Sequence, residues 1–279
     1  MSVAGGLHLA LERGHELECG AVQIFLKNQR QWAAPPLTAE AVRLFAAARR
    51  ATGIRAVFAH ASYLVNLAAP DDRRWAQAVD AFTDELERAE TLGLLCVVIH
   101  PGSHLGTGLD AGLTRAAAAL DEASRRTAGY RVRIALENTA GAGHVLGRSF
   151  GELGALFRRA ARPERLGVCI DTCHLFAAGY DVRTPAGWRQ TMAECGREVG
   201  FRRVLAFHLN DARAPLGSGL DRHEHIGRGQ LGLAPFRWLL ADPRFHRVPK
   251  VLETPKDPEP EADRTNLRVL RRLRARVLS

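Results

Sequence analysis

The sequence has no apolar run of the about 18 residues that a membrane-spanning helix needs, which excludes helical membrane proteins. It also lacks a secretory leader pattern. MSVAGGLHLALERGHELE has no basic start and meets Glu12 before any long apolar core, so a cytoplasmic location is expected. Lysine is scarce: Lys27, Lys250 and Lys256 are the only three among 39 basic residues. That arginine bias accompanies GC-rich coding and says nothing about function. The surplus over 30 acidic residues, a net charge of +9 and a pI near 10, nevertheless favours a polyanionic partner. Cysteine is present five times, an odd number with no framework spacing, so reduced and mostly buried thiols are expected. The stretch CIDTCH has no second cysteine pair elsewhere and is too little for a thiolate zinc site. No Pro/Ser/Gly-rich linker divides the chain, so a single domain over residues 1–279 is expected.

What is present is a repeating pattern. Apolar runs rich in β-branched residues lie at 21–26, 54–60, 94–100, 132–138, 166–172, 203–211 and 248–254. Near-continuous apolar runs mark strands covered on both faces, as in parallel sheets. Helical patterns alternate with them at 38–52, 73–92, 110–128, 149–161 and 185–200, several opened by capping residues such as Thr38, Asp110 and Ser149. The expected fold class is therefore α/β, and about 250 residues suffice for a (β/α)8 TIM barrel. Such a barrel wants about eight strands, and the helical stretch at 7–19 stands before the first visible one. The expectation is a TIM barrel with its first strand missing from this chain.

The chemistry lies where the runs end. His60, His100, Glu137, Asp171, His208 and Glu253 each close an apolar run and precede a loop. In parallel α/β folds, ligands gather outside the carboxyl ends of the strands. His174 in DTCH and Asp221 and His223 in DRHEH add three more. Five histidines and four carboxylates form a nitrogen and oxygen donor set of the kind zinc and manganese take. At about four to six ligands per ion, nine side chains imply two or three ions with positions left for water and substrate. Clustered dications are suited to in-line displacement at a phosphodiester, where they activate water and neutralise the departing oxygen.

The segments FLKNQRQW, HASYLVNL, HPGSH, ENTAG, CIDTCHLFAAGYD, HLNDA, DRHEHIG and LETPK occur in this order. Together they resemble the endonuclease IV family of apurinic/apyrimidinic endonucleases over nearly the whole chain. The resemblance implies a monomeric TIM barrel holding three zinc ions. It implies base excision repair, with cleavage of double-stranded DNA on the 5′ side of an abasic site to leave 3′-hydroxyl and 5′-deoxyribose-phosphate ends. It also implies that His60, His100 and Glu137 hold a first zinc, with Glu137 the catalytic carboxylate that bridges to a second. Asp171, His208 and Glu253 complete that second site, and His174, Asp221 and His223 hold a third. Gln29 and Arg30, with Trp32 nearby, and Tyr63 and Leu64 then read as DNA contacts that occupy the space left by an extruded nucleotide. Family members begin with a strand leading into a segment like AHVSAAGGL, whereas this chain starts within it, at Met1-Ser2-Val3-Ala4-Gly5-Gly6. A start codon set too far downstream is the expected reason, and the seven-strand form would carry an unpaired seam.

Two rival readings explain less. A sugar isomerase of the TIM-barrel type would use Glu137, Asp171, His208 and Glu253 but leave the other five ligands idle. A non-catalytic DNA-binding protein would explain the charge and none of the ligands. Among weaker features, GAGHVLG at 141–147 reads as a loop bending near the metals, and His104 and His225 as supports beside the ligands. Leu267, Leu270, Leu273 and Val277 mark a C-terminal helix with a solvated arginine face.

Overall fold

The structure is a computed structural model that describes residues 1–278, with side chains through residue 275; Val277, assigned above to an apolar helix face, lies outside the described side chains. The chain divides into two compact units, residues 1–137 with 155–167, and residues 138–154 with 168–279.

The first unit alternates helix and strand: α1 (Leu7–Glu16), β1 (Ala21–Phe25), α2 (Ala39–Thr52), β2 (Ala56–His60), α3 (Asp72–Thr91), β3 (Cys96–Ile99), α4 (Leu109–Arg126) and β4 (Arg133–Glu137). The strands pair in parallel in that order, with Phe25 opposite His60, His60 opposite Val98 and Ile99 opposite Leu136. Val22, Ile24, Val57, Phe58, Val97, Val98, Ile134 and Leu136 are buried, as near-continuous apolar strands covered by helices require. Thr38 caps α2 by accepting from Ala41 N, and Asp71 caps α3 by accepting from Arg74 N. Asp110 is not a cap: α4 begins one residue earlier, and Asp110 sits in its first turn, paired with Arg159. Among the described strands β1 pairs with β2 alone. The Met1 amino group donates to Gln23 O of β1 at 2.7 Å, and Arg13 holds Ser2 O and Ala4 O at 2.8 and 2.9 Å.

Helix α5 (Phe150–Arg159) precedes β5 (Leu166–Asp171), after which the second unit continues through α6 (Thr172–Ala178), α7 (Pro185–Glu198) and β6 (Val204–His208). Then come β7 (Asp211–Ala212), β8 (His223–Glu224), α8 (Ala234–Ala241), β9 (Lys250–Val251) and α9 (Glu261–Leu278). β5, β6 and β9 are parallel, with Asp171 opposite His208, and β7 and β8 form an antiparallel pair with Ala212 opposite His223. Helices α6 and α8 and the β7–β8 pair are too short to show a period in the sequence. Helix α6 exists because Asp171 caps it, accepting from His174 N at 2.8 Å. His60, Glu137, Asp171 and His208 are the last residues of their strands, while His100 and Glu253 lie one and two residues beyond β3 and β9. No described helix is long and apolar enough to cross a membrane.

Candidate metal centre

In the first unit, β2, β3 and β4 bring His60, His100 and Glu137 together, with donor atoms all within 4.8 Å of one another. Glu137 is fully buried, and its Oε2 lies 3.0 Å from His60 Nε2 and 3.2 Å from His100 Nε2. His60 Nδ1 is 2.7 Å from Ala61 O. A carbonyl only accepts, so Nδ1 carries a proton there, and Nε2 is the nitrogen turned toward Glu137. The Tyr63 ring stands 5.2 Å from the His60 ring and 6.0 Å from the His100 ring, while the residue itself is 58% exposed. An aromatic face therefore sits open to a ligand directly beside two candidate metal ligands.

In the second unit, β5, β6 and the segment after β9 bring Asp171, His208 and Glu253 together. His208 Nδ1 lies 3.1 Å from Glu253 Oε2 and 3.8 Å from Asp171 Oδ2. Beside them Asp171, His174 and His223 place their donor atoms within 4.8 Å of one another. Asp221 approaches both rings, at 3.2 Å from His174 Nε2 and 3.1 Å from His223 Nε2. His174 Nδ1 is 2.9 Å from Asn138 O, and His223 Nδ1 is 2.9 Å from Glu253 O. The His60 argument applies to both: each ring donates Nδ1–H to a carbonyl and presents Nε2 to carboxylates.

The donor set fits a cation. His223 Nε2 is buried with no hydrogen-bond partner, although carboxylate oxygens of Asp221 and Asp171 lie at 3.1 and 3.7 Å. Burial pushes the Asp221 carboxyl up, but the close imidazoles of His174 and His223 outweigh it and hold it far below the usual range. His223 shows the mirror effect: burial pushes it down, while Asp221 and the charge of Asp171 raise it to about 9. The carboxylates thus draw a proton onto this nitrogen when no other cation is there.

The Xylose isomerase-like TIM barrel family model matches residues 11–273. A probable endonuclease 4 of Chloroflexus aurantiacus is 47% identical over 98% of this chain and 96% of its own length. The crystal structure of endonuclease IV from Thermus thermophilus superposes with a TM-score of 0.86 at 38% identity, covering 98% of this chain and 96% of that one. The chain belongs to the endonuclease IV family. A D-tagatose 3-epimerase-like protein, 18% identical with a TM-score of 0.73 over 99% of this chain and 97% of that one, shares the fold. At that identity the likeness concerns the architecture alone.

Several residues of this endonuclease IV chain that support the candidate ligands escaped the sequence reading. Asn210 is fully buried, donates to Asp171 Oδ2 at 2.6 Å and accepts from Glu253 N at 2.8 Å. Asn138 accepts from Asp171 N at 2.7 Å and donates to Asp171 O at 3.1 Å. Asp211 accepts from the N–H groups of Ala212, Gly227, Gly229 and Leu231, which folds the chain after β8 around its carboxylate. Gly229 is required there, because a Cβ would stand 2.4 Å from Ala212 O. The available signal was position: Asn138, Asn210 and Asp211 follow a strand-end ligand by one to three residues.

His225 Nδ1 accepts from Asn266 Nδ2 at 3.0 Å, and Asn266 also accepts from Ile226 N. His104 accepts from Gly106 N and Gly108 N and shapes its own loop. None of the five cysteines is in a disulfide. Cys173 lies near Asp221 and His223, but burial and the charge of Asp171 push its thiol up to about 12. Its Sγ donates to Arg222 O at 3.6 Å.

Proposed function

We propose that this chain is a DNA-repair endonuclease that hydrolyses the phosphodiester 5′ to abasic sites in double-stranded DNA, acting in the cytoplasm as a monomeric single TIM-barrel domain over 1–279. The observation that carries the reading is the common orientation of the His60, His174 and His223 rings. Each spends Nδ1 on a backbone carbonyl and directs Nε2 at a carboxylate. An isomerase site of Glu137, Asp171, His208 and Glu253 has no use for those three rings.

We assign three zinc ions to the chain, with His60, His100 and Glu137 at the first, Asp171, His208 and Glu253 at the second, and His174, Asp221 and His223 at the third. Glu137 is taken as the catalytic carboxylate on the strength of the family pattern. Bound zinc would supply Lewis acidity and a water acidified to near neutral pH. The chain's part is to place that chemistry. The Glu137 carboxylate orients the attacking water, whose oxygen bonds to phosphorus as the P–O3′ bond breaks. The proton goes to the departing 3′ oxygen, leaving a 3′-hydroxyl and a 5′-deoxyribose phosphate. Arg30 is exposed, Gln29 and Leu64 are half-buried, and Tyr63 stands beside His60 and His100. These four residues are assigned to the DNA, where Tyr63 and Leu64 fill the space of the extruded nucleotide. An abasic nucleotide lacks stacking and pairing, so its extrusion costs less than that of a normal one by about a few kcal/mol.

The test is incision of a duplex carrying one tetrahydrofuran abasic analogue, with both product ends identified and metal content measured on the same preparation. Incision 5′ to the analogue with near three zincs per chain is expected. Activity should persist for a time in EDTA and need no added magnesium, since nitrogen-rich sites favour zinc. A strict and immediate requirement for magnesium would overturn the assignment.

A further inference from the structure

We infer that the buried Lys27–Glu85 pair, together with Ser62, is a positioning brace that sets the loop after β1 and the loop after β2 against each other. The inference rests on the proposal that these loops read the lesion. The Lys27 and Glu85 side chains are each 1% exposed, with Lys27 Nζ 3.8 Å from Glu85 Oε1 and 3.1 Å from Asp84 Oδ2. Burying two charges is costly, and an apolar pair of the same volume commonly stabilises a fold as well or better. These headgroups do what an apolar pair could not: each bonds loop backbone. Lys27 Nζ donates to Ala81 O of α3 at 2.9 Å and to Trp32 O of the first loop at 3.4 Å. Glu85 Oε1, also on α3, accepts from Ser62 N of the second loop at 2.9 Å. One helix thereby grips both loops, and Arg88 of the same helix adds bonds to Ala34 O and Pro35 O, both at 2.9 Å.

Ser62 joins the loops directly. Its Oγ donates to Gln29 O at 2.9 Å and accepts from Leu64 N at 3.3 Å. A single hydroxyl therefore fixes the backbone beside Arg30 and the backbone of Leu64, with Tyr63 between. The second loop is anchored on its other side by Asn66, which accepts from Ser103 N at 2.8 Å and donates to Ser103 O at 2.9 Å. Gly102, with φ at +111°, permits that approach, since a Cβ would meet Asn66 Oδ1 at 2.3 Å. Exposed side chains such as Arg30 and Tyr63 lose freedom on binding DNA, and a backbone set beforehand reduces that loss. Neither Lys27, Glu85 nor Ser62 is required to touch DNA for this role.

The experiment compares Kd for abasic and undamaged duplexes at one salt concentration, with metal content and Tm on the same samples. Ser62→Ala removes the hydroxyl but keeps the backbone bond to Glu85. It should weaken abasic binding about five- to tenfold, the size expected for one lost positioned hydrogen bond. Undamaged binding, set mainly by phosphate contacts, should move by less than about twofold, with metal content unchanged. Glu85→Gln keeps an acceptor for Ser62 N and removes the charge facing Lys27. It should shift discrimination in the same direction with a lower Tm. In the Tyr63→Ala/Leu64→Ala background, Ser62→Ala should add nothing to the loss of discrimination, because what it positions is gone. Equal losses on both duplexes, or an undiminished effect in that background, mean a merely structural role and overturn the brace. If Tyr63→Ala/Leu64→Ala loses discrimination while Ser62→Ala and Glu85→Gln keep it, only the brace is overturned. If that double variant itself discriminates fully, the reading of the loops fails and the brace with it.

Discussion

The two units support their candidate ligands differently. In the first, His60 and Glu137 are strand residues and His100 follows its strand directly, so the parallel sheet itself aims them. The polar work there goes into the loops, through Lys27, Ser62, Asn66, Glu85 and Arg88. In the second, only Asp171 and His208 are strand residues of a parallel sheet. His174 stands on a seven-residue helix, His223 on a two-residue strand, and Asp221 and Glu253 in loops. There the polar work goes into the ligands, through Asn138 and Asn210, and into the backbone that follows β8, through Asp211 and Asn266. A ligand on a strand inherits its direction from the ladder, whereas a ligand on irregular backbone must be held by buried side-chain hydrogen bonds.

The comparison breaks most sharply at Glu137. Glu137→Gln keeps the shape but loses the charge that both imidazoles face, and incision should fall by about three orders of magnitude or more while abasic DNA is still bound. Near-normal incision with metal retained would remove Glu137 from the chemistry. Asn210→Ala tests whether the second unit's ligands depend on their hydrogen bonds. It frees Asp171 Oδ2 and leaves Glu253 N without its acceptor, so metal retention should drop about 10- to 100-fold. Metal content after dialysis against a graded chelator checks this, and unchanged retention would mean the strands alone hold those ligands. In the first unit, Tyr63→Ala/Leu64→Ala should leave metal content untouched and weaken abasic binding about tenfold more than undamaged binding. Equal losses would place the discrimination in the metal pocket.

The smallest effect concerns the far end of the second unit's sheet. Burial, reinforced by the charge of Arg274, pushes Lys250 down to about 8 from 10.5. Between those values the unfolded chain binds the extra proton, so stability should rise as pH goes from about 8 to about 10.5. Lys250→Met should flatten that part of the Tm-against-pH curve, and an unchanged slope would assign it to other groups.

The sequence by itself determined the alternation of strands and helices and the edge at which the polar residues gather. Both follow from local causes: the two-sided burial of a parallel strand leaves an apolar run, and its last residue is marked by a change to His, Asp or Glu. That is why His60, Glu137, Asp171 and His208 could be placed at strand ends without coordinates. The endonuclease IV motifs were legible for the same reason, since ligands and their neighbours are contiguous in the chain. Only the tertiary structure decided what holds the ligands. Helix α6 and the β7–β8 pair are too short for any period, and they form because Asp171 caps one while Asp211 gathers the N–H groups that follow the other. Asn210 and Asn266 read as ordinary polar residues until the fold brings Asp171, Glu253, Ile226 and His225 to their amides. Lys27 and Glu85, 58 positions apart in the sequence, become a pair only when α3 packs beneath both loops. A buried polar group takes its meaning from its partners, and distant partners are assigned by packing rather than by sequence order.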